Sequence, residues 1–254
     1  MIDFGKAYNL ADIIEAAHEA ERKFEAQVWF RGQSEYKWQL KPSVHRRHPI
    51  LEAQFLHHFR LRAPSMATCP NHEDHISWLP LMQHYGLPTR LLDWTESAMI
   101  AAYFGLPKIE KGIDGAIYML APGKLNQNSI GDIIPFLVDE RVKKYIKDAF
   151  TGESNPDNNQ TISVLAPRTD KRMAVQLGNY TIHGTREPLE DNPMSSTFLG
   201  KIIIPHSARD KIKSDLSVAG IRRSNLFPDL ENLAKEVSEI IAFGPNGEDL
   251  DAKK

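Results

Sequence analysis

Between Leu81 and Thr95 the chain reads Leu-Met-Gln-His-Tyr-Gly-Leu-Pro-Thr-Arg-Leu-Leu-Asp-Trp-Thr. The Gly-Leu-Pro break separates a helical run, His72 to Tyr85, from alternating residues that predict a strand over Arg90 to Trp94. Alternation puts Arg90, Leu92 and Trp94 on one face and Leu91, Asp93 and Thr95 on the other. The following Glu96 to Leu106 reads as a helix with Thr95 as its N-cap. Asp93 and Thr95 would then lie side by side where a strand ends and a helix begins. The free amides and partial positive charge of a helix N-terminus can hold an anion there. Capping alone also explains Thr95, and an arginine partner would explain Asp93.

The rest of the chain supplies the partners for this unit. Ala11 to Phe24 has the apolar spacing of an amphipathic helix, and Val28 to Arg31 is a short β-type run stopped by Gly32. Leu40 to Val44 reads as a loop around Pro42. Leu51 to Arg62 reads as a helix stopped by Pro64, and Asn71 as the cap of the helix over 72–85, kinked near Pro80. Gly115 to Leu120 reads as a buried strand and Val138 to Phe150 as a helix. Thr151 to Gln160 reads as a polar loop. Thr161 to Leu165, Asn179 to His183 and Lys201 to Ile204 read as strands. Ser207 to Ala219 and a segment opened by Phe227 and Pro228 read as helices. Strands and helices mix without regular βαβ alternation, which predicts an α+β fold: a mixed or mostly antiparallel sheet with several flanking helices. One domain over residues 1–245 is expected, with a polar and disordered tail at 246–254.

Composition narrows the function classes. Hydrophobic residues make up 41% and charged residues 25%, values typical of a soluble globular chain. The first residues lack a secretory pattern, and the longest apolar run, Ala98 to Leu106, is about half of a membrane span. A single cysteine, Cys69, excludes an intrachain disulfide and fits a reducing compartment, so a cytoplasmic protein without a membrane partner is expected. The net charge of −2 gives no overall attraction to nucleic acid. Basic groups cluster at 45–48, 60–62, 171–172 and 222–223; they would hold a phosphate if the fold gathered them, and are solvated charge if it does not. The spacing Cys69-x2-His72-x2-His75 lacks a second ligand pair, so no metal is expected. Phosphate-loop, dinucleotide-fingerprint, nucleophile-elbow and zincin motifs are missing.

Candidate chemistry concentrates at a few positions. Arg31 ends a strand beside Gly32, and its guanidinium can fork onto a phosphate or carboxylate; pairing with a structural acid such as Asp93 explains it equally well. His84 and Tyr85 can donate to a ribose or stack on a base, or can lock their turn through a hydrogen bond. Gln176 stands among apolar neighbours, either as a ligand contact or as a helix-end hydrogen-bonder.

Trp29-Phe30-Arg31-Gly32-Gln33, read with the central passage Met82 to Thr95, resembles the FRG domain. Further pieces occur in the same order at Lys41-Pro42-Ser43, 114–120, 166–183 and 226–230, so the resemblance extends from about Gln27 to about Leu230. The order of parts is also distantly similar to ADP-ribosyltransferase-like folds. That similarity implies NAD⁺ as substrate, with Arg31, Thr95 and Gln176 in the three catalytic positions. Gly32, Gln33, His84, Tyr85, Arg90, Asp93 and Trp94 would then help to bind the nucleotide. The third position normally carries a carboxylate, which Gln176 lacks, and Asp93 or Glu96 could supply it. The resemblance implies a transferase or NAD⁺-cleaving effector in a toxin or anti-phage setting, with a protein or nucleic-acid acceptor left open. A non-catalytic binding module, its polar residues structural, is the alternative.

Overall fold

The computed structural model describes residues 1–48, 50–108, 112–127, 129–151, 158–168 and 171–242. Strands are β1 (Ile2–Lys6), β2 (Trp29–Gln33), β3 (Leu91–Thr95), β4 (Gly115–Leu120), β5 (Thr161–Val164), β6 (Gly178–His183) and β7 (Leu199–Ile204). Helices are α1 (Leu10–Phe24), α2 (Ile50–Arg62), α3 (His75–His84), α4 (Ala98–Gly105), α5 (Pro122–Asn126), α6 (Glu140–Thr151), α7 (Lys171–Val175), α8 (Arg209–Val218), α9 (Arg223–Leu226) and α10 (Leu230–Ala242). The fold is α+β. All seven strands join one sheet in the order β1-β7-β4-β2-β3-β6-β5. Only β1 against β7 is parallel; the other neighbours run antiparallel.

β2 pairs with β4 along its whole length, and β3 pairs with β6 along its whole length. β2 and β3 themselves meet only where Phe30 faces Thr95, and beyond that pair they part. The core has two parts, and β3 supplies both, Leu92 and Trp94 to the first and Leu91 to the second. Ile13, Ala16, Ala20 and Phe24 of α1 recur at helical spacing and join Ala101, Ile117, Met119, Ile202 and Ile212 in a core on the β4 side. Leu56, Trp78, Tyr145, Ile162 and Ile182 form a second core on the β6 side.

α4 is apolar on nearly all sides because it is enclosed, and it lies so close to β2 that a Cβ on Gly32 would run into the Ala101 carbonyl. Gly32 therefore leaves room for the α4 backbone. Among the described residues, no helix is long and apolar enough to cross a membrane.

Several local expectations change. β1 is unforeseen, since Ile-Asp-Phe-Gly-Lys carries little β signal and is held by pairing with β7. Ser97 caps α4 by accepting from the Ile100 amide, so Thr95 is not its cap. Asp74 caps α3, while the Asn71 side chain accepts from the Glu73 amide in the preceding turn. Pro42 precedes a 3₁₀ turn at Ser43–Arg46 rather than a loop. Asp229, not Pro228, sets the start of α10 through the Asn232 amide. Most of the polar loop at 151–160 and the whole tail at 246–254 lie outside the described residues.

Candidate functional site

The parting of β2 and β3 opens a cavity of about 340 Å³. Arg31, Gly32 and Gln33 line it from β2, and Asp93, Trp94 and Thr95 from β3. Gln83 and His84 close it from the end of α3, Ile100 and Phe104 from α4, and Arg172, Met173 and Gln176 from α7 and its exit. Tyr180 of β6 stands directly opposite Asp93 in the sheet register, and Trp38 sits on the loop after β2.

Arg31 bridges the gap that the strands leave. Its Nη1 donates to the Asp93 carbonyl at 2.7 Å, so a side chain replaces the missing ladder bond. The Asp93 carboxylate is farther off, 4.0 Å from the same nitrogen. Burial lowers the pKa of the guanidinium, and the nearby Asp93 charge opposes that shift. Arg31 Nε and Gln33 Oε1 are buried without a protein partner. Asp93 keeps its side chain 60% exposed and accepts from Gln83 Nε2 at 2.8 Å. Gln83 in turn accepts from the Thr89 hydroxyl, which braces the carboxylate from the turn before β3. Asp93 is the single carboxylate among the described residues lining the cavity.

The other two proposed catalytic positions reach the same cavity with a hydroxyl and an amide nitrogen already engaged. The Thr95 hydroxyl donates to the Gln176 carbonyl at 2.7 Å and accepts from the Ser97 amide. Gln176 Nε2 donates to the Leu226 carbonyl at 2.9 Å. Between Gln176 and Gly178, Leu177 holds φ at 48°, a left-handed backbone that a branched side chain rarely adopts. Its carbonyl accepts from the Glu96 amide, so the strained turn is clamped to the end of β3. Glu96 is turned away into a pair with Arg168 at 2.7 Å and a bond from Asn179, and it does not line the cavity.

Among the proposed nucleotide contacts, Gly32, Gln33, His84, Asp93 and Trp94 line the cavity, while Tyr85 and Arg90 do not. Tyr85 is 63% exposed and lies against His84 and Phe59. Arg90 precedes β3 and is buried in an ion pair: Nε and Nη2 meet Glu52, and Nη1 donates to the Tyr145 carbonyl. Trp94 is 2% exposed, with its indole N–H donated to Thr181.

The basic clusters do not gather at the cavity. Arg172 reaches it, with its guanidinium 4.8 Å from the Phe227 ring centroid. Arg60 is enclosed by His72, Trp78 and Phe150, and Arg223 faces Glu239.

Sequence reasoning passed over Trp38, Gln83, Phe104 and Tyr180. Trp38 had a visible signal, an aromatic in a polar loop just after the Phe-Arg-Gly triplet. Tyr118 anchors that loop by donating to the Tyr36 and Trp38 carbonyls at 3.2 and 3.3 Å, and burial pushes its phenol pKa up to about 12. Tyr180 had no local signal, because its position depends on the β3–β6 register.

The FRG domain family model matches residues 26–112. That span covers β2, α2, α3, β3 and α4, and hence the Arg31 and Asp93 walls of the cavity. It is shorter than the span to about Leu230 expected from the motifs, and the wall built by Arg172, Gln176 and Tyr180 lies beyond it. No curated protein and no solved structure matches the chain.

Proposed function

The chain contains an FRG domain, and from that premise we propose that the cavity between β2 and β3 binds a nucleotide, NAD⁺, and cleaves it. The observation that carries this reading is the convergence of Arg31, Asp93, Thr95 and Gln176, from three separated parts of the sequence, on one cavity. Two cations and several rings, among them Trp38 and Tyr180, suit a ligand that joins phosphates to flat bases. The volume falls at the lower end of small-molecule sites, so the nicotinamide ribose half enters and the rest lies along the mouth beside Trp38.

In this reading the bond from the ribose anomeric carbon to the nicotinamide nitrogen breaks, and its electron pair leaves with neutral nicotinamide. The ribose becomes oxocarbenium-like. Asp93 stabilises that positive charge from a position already fixed by Gln83. A nucleophile, water or an acceptor group, then bonds to the anomeric carbon and gives up its proton. Arg31 offers its cation to the phosphates while bracing β3. Thr95 and Gln176 act as wall and spacer rather than as reacting groups, since the Thr95 hydroxyl and the Gln176 amide nitrogen are committed to backbone partners. A cytoplasmic chain with this activity would consume the cell's NAD⁺, the work of a toxin or anti-phage effector.

Those committed atoms also favour a second reading, in which the cavity binds the nucleotide without cleaving it. Release of nicotinamide from NAD⁺ by the wild-type chain and by Asp93→Asn separates the two. Cleavage predicts release that falls at least about a hundredfold in the variant, the scale of losing one electrostatic contact to the transition state. Binding without release supports the module, and equal release by both proteins removes Asp93 from the account.

A further inference from the structure

α10 is mounted with its polar edge inward. Glu236 accepts from the Ser224 amide at 2.6 Å, and Glu239 lies 3.6 Å from Arg223. Both contacts tie the helix to α9. Its apolar residues face the other way: Leu230 is 83% exposed, Leu233 and Val237 44% each, Ile240 60% and Ile241 64%. From Leu230 to Ile241 no residue of this helix is buried, although its apolar and polar residues are sharply segregated.

We propose that this stripe is an interface between two copies of the chain, paired through α10. Leu230, Leu233, Val237 and Ile240 follow a three-four-three spacing, the seam that one helix offers to another rather than to a sheet. The polar flank carries Glu231, Glu236 and Glu239 against Lys235, a charge balance that opposes docking on an anionic membrane. Two-fold pairing sets the same stripe against itself and closes without leaving a free edge. From the exposures, the stripe offers about 500 Å² per copy, so a pair buries roughly 1,000 Å², the lower limit for a specific interface. A weak dimer, with a dissociation constant on the order of micromolar, is the consequence.

Sedimentation equilibrium of the purified chain from about 1 to about 200 μM tests this, with thermal melting run on each protein. The wild-type mass should climb from one chain to two. The double variant Leu233→Glu/Val237→Glu should remain at one chain, with the midpoint of the wild type at the lowest concentration, where that too is one chain, because both residues are exposed in the single chain. The single variant Ile240→Lys, in the last turn, is measured alongside so that a folding defect in the double variant does not decide the result. A wild-type mass of one chain throughout overturns the proposal. So does a dimer that survives both sets of substitutions, since another surface would then hold it.

Discussion

Arg90 has its guanidinium enclosed, and its Nε and Nη2 meet a Glu52 that is itself 4% exposed. Removing one member of such a pair leaves the other charged and dry, so Arg90→Met should lower the unfolding free energy by about 3–5 kcal/mol in a urea titration. Asp93→Asn should leave stability within about 0.5 kcal/mol, since the carboxylate is solvated and an amide oxygen can still accept from Gln83. His45 gives a pH signature. Burial first, then the charges of Arg90, Arg186 and Lys41, push its pKa down to about 3. The unfolded chain therefore binds the proton more readily, and His45 contributes stability that is full above its unfolded pKa, ordinarily about 6.5. That contribution is lost as the pH falls from there toward about 3, together with that of buried His183, which is shifted in the same direction. Denaturant midpoints measured between pH 7 and pH 4 should fall steadily, and less steeply in His45→Gln. Sequence offered Asp93 as one of two explanations for Arg31, and the two residues are neighbours in the fold. It could not show that Arg31 binds the Asp93 backbone, nor that Arg90 has a partner 38 residues away.

At the scale of elements, β2 and α4 are fitted together through Gly32. Gly32→Ala forces a methyl into the α4 backbone, so it should cost about 3 kcal/mol or more and shift the thermal midpoint by several degrees. Ser97→Ala removes one capping bond and should cost about 1 kcal/mol. β4 appeared in the sequence with its observed bounds, because six apolar or small residues in a row between turn signals have few other uses. β1 did not, since its stability comes from a parallel neighbour nearly two hundred residues away. The cap of α4 was misplaced by two residues because Thr95 and Ser97 carry the same capping chemistry, and only the strand's true end separates them.

Across the whole molecule, the sheet is continuous in order yet nearly interrupted between β2 and β3. The α+β class was legible from the irregular alternation of elements. The interruption was not, because it lies in which strands pair and for how far, and pairing leaves no mark on a single strand. The cavity follows from the interruption, so residues from β2, β3, α7 and β6 meet there without any shared local motif. Ligand binding is therefore the most direct test of the account. The thermal midpoint of the wild-type chain should be measured with and without NAD⁺, beside Arg31→Ala. A ligand held only by the folded state at a hundredfold above its dissociation constant adds about 2.7 kcal/mol. For a chain of this length that raises the midpoint by roughly 5–10 °C. The account predicts such a rise in the wild type and its loss in Arg31→Ala; no rise in the wild type at millimolar NAD⁺ would contradict it.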